Sequence, residues 1–250
     1  MENSGLSVAL GFLIGILSGL FGVSGGVFAV PLLGLLNFDE HLAQGTSLVM
    51  QLPLCIAGLW QYARRGTLDR RFAILLTVGA IPLTYVGATA ATNMPAPLLR
   101  RAFALFLVLL ASYSAWSATR PQALSEGSRT ARLHPRFSSA VGAIGGLCSG
   151  FFGVGGATFA IPTLTLLFGL SQVRAQALGL ALVFPAIVIA IPTYAHAGAV
   201  NWESGLGLGL GGVLTVPLGV GLAHRLPERT LRLAFCGLLY LGALLLWATA

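Results

Sequence analysis

The feature that most constrains the fold is an apolar segment, SGLFGVSGGVFAVPLL at residues 18–33, that is interrupted by adjacent glycines. A second segment, SGFFGVGGATFAIPTL at residues 149–164, is identical to the first at ten of sixteen positions. A glycine inside a helix costs about 1 kcal/mol relative to alanine. The pattern therefore predicts, twice in one chain, a helix that stops at the glycines and a new helix that starts after them.

Apolar residues dominate the chain on both sides of these breaks. Of the 250 residues, 56% are hydrophobic and 8% are charged, whereas a soluble domain carries about a quarter charged residues. This composition excludes a soluble fold and predicts an integral membrane protein with the lipid bilayer as its surroundings. All fourteen basic residues are arginines between apolar runs, which indicates orientation in a membrane and argues against nucleic acid as a partner.

The duplication extends over the whole chain at an offset of 131 to 132 residues, so that Pro53 matches Pro185 and Tyr62 matches Tyr194. We divide the chain into a first repeat, 1–118, a basic cytoplasmic linker, 119–136, and a second repeat, 137–250. The apolar runs are 5–36, 43–63, 72–91 and 98–118 in the first repeat and 137–168, 175–197, 202–223 and 230–250 in the second. The last three runs of each repeat fit one crossing of about 20 residues. The first run is too long for one straight helix.

Two arrangements of the repeats are compatible with these runs. If the first run crosses once, the repeats are parallel, and eight arginines lie inside the cell against six outside. If it enters, breaks and returns, the repeats are inverted, and only Arg100 and Arg101 lie outside. Cytoplasmic loops are rich in arginine, so the second arrangement is favoured. We predict an all-α, polytopic helical bundle of two homologous halves in an inverted repeat, each half opening with a glycine-broken helix or re-entrant hairpin.

A helix that restarts after a break presents N–H groups that lack intrahelical partners and carry partial positive charge, which is typical of an anion site. Serine hydroxyls near each break, and polar residues early in the second run, would add contacts to a substrate; for the second-run residues, hydrogen bonding between helices is the alternative. The candidate substrate-binding residues are Ser18, Gly22, Ser24, Gly25, Gly26, Thr46, Ser47, Gln51, Ser149, Gly153, Gly155 and Gly156.

Other patterns predict structural roles. The ladders Gly11, Gly15, Gly19 and Gly142, Gly146, Gly150 have one glycine per helical turn, which indicates helix packing. Aromatic residues near the run ends predict an interfacial belt; they are Tyr62, Tyr194, Trp60, Trp202 and Trp247.

The patterns that could indicate an enzyme or a metal site are incomplete in this sequence. The stretch GVSGG at 22–26 matches a hydrolase nucleophile elbow, but the strand–turn–helix setting is missing and Gly155 replaces the serine in the second copy. The cysteines and histidines are scattered without metal-ligand spacing, and the acids Asp69, Glu203 and Glu228 lie in loops. We therefore expect no enzyme, no catalytic residue, no metal site and no cofactor.

At these motifs the chain resembles the sulfite exporter TauE/SafE family of membrane permeases. The resemblance rests on the two glycine segments, on AQGTSLV at 43–49 and on YARRGTLD at 62–69, and it covers the whole length. It implies a multi-pass protein of the bacterial or archaeal cell (inner) membrane that transports a small sulfur-containing anion such as sulfite or an organosulfonate. The second copy departs from the pattern at Ala177, Leu178 and Gly179, where the first has Gly-Thr-Ser. If the hydroxyls of the first copy contact the substrate, the site is asymmetric and the first copy carries more of it.

The main hypothesis is a secondary transporter that works by alternating access, with a small anionic substrate as its partner. An anion channel of the same fold and a transporter of another small organic anion are the alternatives. A membrane-embedded enzyme or accessory subunit is disfavoured, because no His/Asp/Glu cluster is present in the sequence. A homodimer is the one protein partner that remains open.

Overall fold

The computed structural model describes residues 4–21, 23–64, 66, 68–119, 134–223, 225–226 and 228–248. These residues form ten α-helices and one short 3-10 turn, with no strand among them. The first half contains α1 (Ser4–Phe21), α2 (Gly26–Leu35), α3 (Glu40–Arg64), α4 (Arg70–Thr92) and α5 (Ala96–Thr119). The second half contains α6 (Ser138–Phe152), α7 (Ala157–Phe168), α8 (Gln172–His196), α9 (Trp202–Ala223) and α10 (Glu228–Ala248). Most of the predicted linker lies outside the described residues.

The predicted glycine breaks are confirmed. Helix α1 ends at Phe21 and α2 begins at Gly26; in the second half, α6 ends at Phe152 and α7 begins at Ala157. Gly25, Gly153 and Gly155 have φ angles of 80°, 65° and 72°. This left-handed region is open to glycine and strained for other residues. Each break therefore requires its glycines.

The outer surface of the bundle is apolar and its interior contains polar side chains. Leu210, Leu214 and Leu218 follow one face of α9 and expose 63%, 69% and 65% of their surfaces. Among the described residues, five helices (α3, α4, α5, α8 and α9) contain apolar segments long enough to cross a membrane, and α10 contributes a shorter one, Leu233–Trp247. These features confirm a polytopic, all-helical membrane protein.

The first helix of each half packs against the fourth helix of the other half. A Cβ added to Gly11 would collide with the carbonyl oxygen of Leu208, and one added to Gly19 with that of Val216. The α6 ladder meets α4 in the same way: Gly142 lies against Leu76 O and Gly150 against Thr84 O. The predicted packing role of both glycine ladders is confirmed, because only glycine allows this backbone-to-backbone approach.

The order of these contacts gives the relative chain directions of the packed helices. Along α1 and α9 the contacting residue numbers rise together, so the two helices run parallel, and the same holds for α4 and α6. Helices α3 and α9 are also parallel, because Gly205 lies beside Val49 and Gly209 lies beside Pro53. The α1–α9 and α6–α4 pairs therefore share one arrangement: in each, the first helix of one half runs parallel to the fourth helix of the other half.

Candidate functional site at the meeting of the two breaks

The two glycine breaks touch each other in the interior of the bundle. Ser24 Oγ in the first break donates a hydrogen bond of 3.0 Å to Val154 O in the second. A Cβ added to Gly26 would lie 2.8 Å from Val154 Cα. We call residues 23–26 and 153–156, with the side chains that contact them, the break junction. Residues 130 positions apart in sequence are thus brought together.

Helix α3 supplies the side chains that line the junction. Ser47 Oγ donates to Gly153 O at 3.1 Å. Gln51, one turn further along, donates from Nε2 to Gly153 O at 2.7 Å and to Ser47 O at 3.1 Å. Both side chains are fully buried. They lie near the middle of the 25-residue helix, so the junction lies near the middle of a membrane-spanning element.

The orientation of the Gln51 amide is determined by its neighbours. Two carbonyl oxygens, Gly153 O and Ser47 O, face Nε2, and the reversed amide would place acceptor against acceptor. The other end of the amide, Oε1, is buried and has no hydrogen-bond partner among the described residues. It faces Gly155, where an added Cβ would lie 2.7 Å from it.

The serines of α1 and α6 occupy equivalent positions but differ in their hydrogen bonds. Ser18 Oγ donates to Val23 O within the first break. In the second half the carbonyl oxygen equivalent to Val23 O, that of Val154, accepts from Ser24 of the first half. Ser149 Oγ is buried without a partner in the described part of the chain. The junction is therefore asymmetric in its hydrogen bonding.

Small residues are required at the junction because side chains and backbone approach closely. A Cβ added to Gly155 would lie 2.5 Å from Ser24 Oγ, and one added to Gly26 would lie 2.5 Å from Gln51 Nε2. Gly156 packs directly on the backbone of Gly145 in α6. Substitution of Gly26 or Gly155 would separate the first half from the second break, and substitution of Gly156 would push α7 away from α6.

The backbone gives the junction a positive electrostatic character. Gly25 and Gly156 are the N-caps of α2 and α7, and neither helix start has a side-chain cap. The first N–H groups of both helices therefore lack helical acceptors and carry partial positive charge. The carbonyl oxygens of Gly153 and Val154, in contrast, are covered by donors from Gln51, Ser47 and Ser24.

Most of the predicted site residues meet at this junction. Those brought together are Ser18, Ser24, Gly25, Gly26, Ser47, Gln51, Ser149, Gly153, Gly155 and Gly156. Thr46 lies apart from them, because its Oγ1 accepts from the backbone N–H of Asn201, at the turn before α9. Gly22 lies outside the described residues. That these residues bind substrate stays a prediction.

Sequence reasoning missed a buried polar network beside the junction. Glu40 is fully buried, accepts from Gln44 Nε2 at 3.1 Å and pairs with Arg100 Nε at 3.3 Å. Gln44 Oε1 accepts from Tyr194 OH at 2.8 Å, and Tyr194 OH also lies 2.9 Å from Gly150 O, just before the second break. The network connects the start of α3 to the last turn of α6, just before the second break.

Two details of this network correct the sequence analysis. Tyr194 is completely buried, so its assignment to the interfacial belt is wrong, whereas Trp60, Trp202 and Trp247 are each more than half exposed. The equivalent Tyr62 donates to Gln176 Oε1 at 3.1 Å, which repeats the Tyr194–Gln44 pair in the other half. The recurrence of both tyrosine and glutamine at one offset was the signal that could have revealed these pairs.

Comparison with known proteins agrees with this architecture. The family model described as "Sulfite exporter TauE/SafE" matches residues 7–246. A probable membrane transporter protein of Xylella fastidiosa is 28% identical over 226 residues, covering 88% of this chain and 85% of the relative. The probable membrane transporter protein YunE of Bacillus subtilis is 23% identical over 246 residues, covering 90% of each chain. The chain therefore belongs to the sulfite exporter TauE/SafE family of membrane transporters.

Proposed function

We propose that this membrane transporter is a secondary carrier for a small sulfur-containing anion, such as sulfite or an organosulfonate, and that the break junction binds it. The observation that carries the proposal is the meeting of two uncapped helix starts at mid-helix depth. An anion there would accept from the first N–H groups of α2 and α7. The family description supplies sulfite as the first candidate substrate.

The hydrogen bonds at the junction favour an anion over a cation. Unwound backbone in transporters binds cations through free carbonyl oxygens. Here the carbonyl oxygens of Val23, Gly153 and Val154 already accept from serine hydroxyls or the Gln51 amide. The positive ends of two helices remain for a ligand.

The chain directions support an inverted arrangement of the halves. Helices α1, α3 and α9 run in one direction, and α4 runs with α6. The short connections from α3 to α4 and from α8 to α9 reverse the chain. On this arrangement α6 and α8 oppose α1 and α3, which is the relation that alternating access between inverted repeats uses. The arginine distribution supports an orientation with the chain termini outside the cell, and the family resemblance supports a bacterial or archaeal cell membrane as the location.

Alternating access requires rigid parts and a weak contact between them. The α1–α9 and α4–α6 pairs pack backbone to backbone through glycine, so each pair moves as one body. The second break is held to the first half by hydrogen bonds from Ser24, Ser47 and Gln51 and by packing of Val154 near Gly26. We expect these bonds to break and re-form as the site opens to each side.

The experiment is transport of radiolabelled sulfite and organosulfonates by the purified protein in proteoliposomes. A carrier gives saturable uptake that is accelerated by unlabelled anion on the opposite side. Gly155→Ala should abolish transport, because its Cβ would lie 2.5 Å from Ser24 Oγ at a φ of 72°. The matched control is Gly221→Ala in α9, where an added Cβ has no neighbour within 4 Å.

Three results would count against the proposal. Flux that neither saturates nor responds to anion on the opposite side would indicate a channel. Saturable transport of a different organic anion, with none of sulfite or sulfonates, would exclude the sulfur substrate. Equal transport by the Gly155 and Gly221 variants would exclude the junction as the site.

A further inference from the structure

The junction contains one acceptor that the protein does not satisfy. Gln51 is fully buried, and its Oε1 has no partner among the described residues, while its Nε2 donates to two carbonyl oxygens. A buried polar atom without a partner destabilises the protein unless a ligand or water supplies the missing hydrogen bond. Because Oε1 faces Gly155 between the starts of α2 and α7, the missing donor belongs at the proposed anion position.

An amide oxygen accepts hydrogen bonds and cannot donate them. A fully deprotonated oxyanion offers only acceptors, so next to Oε1 it would place two negative oxygens face to face. A ligand that carries an O–H or N–H can donate to Oε1 while its charged oxygens accept from the helix starts. The Gln51 side chain therefore distinguishes ligands by their protons as well as by their charge.

We infer that the junction selects singly charged sulfur oxyanions that carry their own hydrogen-bond donor, such as hydrogensulfite or a sulfonate with a hydroxyl group close by. The inference rests on the proposed function, because it names the ligand class of the same site. Sulfite dianion and plain alkyl sulfonates are then poor ligands. The site rejects them because Oε1 would remain buried without a donor.

The asymmetry of the repeats gives the ligand one orientation. The residue equivalent to Gln51 in the second half is Val183, which has no acceptor. The ligand's donor therefore points to α3 of the first half. Ser149 Oγ, the other buried atom without a partner in the described chain, is a hydroxyl that can donate to the ligand's oxygens.

The test compares two ligands of equal charge and nearly equal size, hydroxymethanesulfonate and methanesulfonate, which differ in one hydroxyl group. Binding to the purified full-length chain is measured by calorimetry at fixed pH and salt. Hydroxymethanesulfonate should bind at least about ten-fold more tightly, the effect of one hydrogen bond to a buried acceptor. This comparison needs no variant, so it holds even where a substitution prevents folding.

Two variants test whether Gln51 causes the preference for the hydroxylated ligand. Gln51→Val, which copies the residue of the second half, and Gln51→Met, which keeps the side-chain length, should bind both ligands with similar affinity. The matched control is Gln176→Val, which removes a glutamine that accepts from Tyr62 in α3. The preference for the hydroxylated ligand should survive in this control.

The outcomes separate this inference from the function on which it rests. Equal affinity of the unaltered protein for the two sulfonates overturns the inference and leaves sulfur-anion transport standing. A preference that persists in both Gln51 variants also overturns it. If neither sulfonate nor hydrogensulfite binds, and proteoliposomes transport none of them, the proposed function fails and this inference fails with it.

Discussion

At the scale of single residues, the polar atoms of the junction come mainly from the first half. Ser24 and Gln51 have Gly155 and Val183 as their counterparts, and Ser47 has Gly179. The second half contributes the carbonyl oxygens that these side chains contact. One copy of the duplicated unit thus supplies donors and the other supplies backbone, so neither half forms the junction alone.

The buried pair of Glu40 and Arg100 yields a prediction about stability. The Glu40 side chain is fully buried, whereas that of Arg100 is 18% exposed. Arg100→Ala leaves a buried carboxylate without its ion-pair partner and should lower the free energy of unfolding by about 3–5 kcal/mol. Glu40→Gln keeps a side chain that can hydrogen-bond Gln44 and should cost only about 1 kcal/mol. Chemical unfolding in detergent measures both values.

The double variant is the control for this pair. Combining Arg100→Ala with Glu40→Gln removes the stranded charge, so the protein should regain most of the stability that Arg100→Ala loses. If the two losses simply add, Glu40 and Arg100 do not act as a pair.

At the scale of helices, the sequence predicted the breaks and the packing ladders because both depend on local patterns. The glycine-rich breaks at 25–26 and 155–156 recur in two similar segments, and glycine at every fourth position forms a groove. Adjacent glycines weaken a helix but do not end it by themselves, because Gly145 and Gly146 lie within α6. Other features depend on distant residues. The direction of the Gln51 amide follows from Gly153, 102 residues away, and the burial of Tyr194 follows from Gln44, 150 residues away. Local spacing does not reveal such contacts; only the recurrence of tyrosine and glutamine at the repeat offset pointed to the Tyr194–Gln44 pair.

Glu40 is another residue whose burial local sequence patterns do not reveal, and it lies at a helix boundary. It lies three residues before the predicted apolar run at 43–63, in the polar stretch Asn37–His41 that is typical of a loop. The structure begins α3 at Glu40 and buries it beside Arg100 of α5. Its burial depends on packing between α3 and α5, which hydrophobic patterning alone does not reveal.

The glycine ladders yield a prediction at the scale of helix pairs. Gly15 in α1 faces the backbone of Gly212 in α9, and Gly146 in α6 faces that of Ala80 in α4. Because the opposing atoms are backbone, together with Thr215 Oγ1 at Gly15, a methyl group at either position must push the helices apart. Gly15→Ala and Gly146→Ala should each lower stability by about 1–3 kcal/mol.

Thermal unfolding in detergent measures this effect against Gly237→Ala in α10, where an added Cβ has no neighbour within 4 Å. That control should leave stability unchanged or raise it by up to about 1 kcal/mol through helix propensity. Similar melting temperatures for all three variants would contradict the packing role of the ladders.

At the scale of the whole molecule, the inverted arrangement predicts that equivalent helix ends lie on opposite sides of the membrane. Ala63 lies in the last turn of α3, and Ala197 follows the last turn of α8; both are exposed. In a variant with Cys55, Cys148 and Cys236 replaced, Ala197→Cys should react with a membrane-impermeant maleimide in intact cells. Ala63→Cys should react only after the cells are opened.

Two controls make the labelling result decisive. Both single-cysteine proteins must transport, and both must react fully once the membrane is dissolved. If both cysteines react from the same side, the repeats are parallel, and the mechanism that requires inversion is excluded.

The first helix of each half packs against the fourth helix of the other half, and this has a consequence for how the protein is made. Helix α1 leaves the ribosome long before α9, its partner through Gly11 and Gly19, because nearly 200 residues separate them. Until α9 is synthesised, the glycine groove of α1 faces lipid or the insertion machinery and gains none of its final packing. Such long-range pairing slows folding. Assembly of the bundle thus waits for the end of translation, and truncated chains that lack α9 should be removed by membrane proteases.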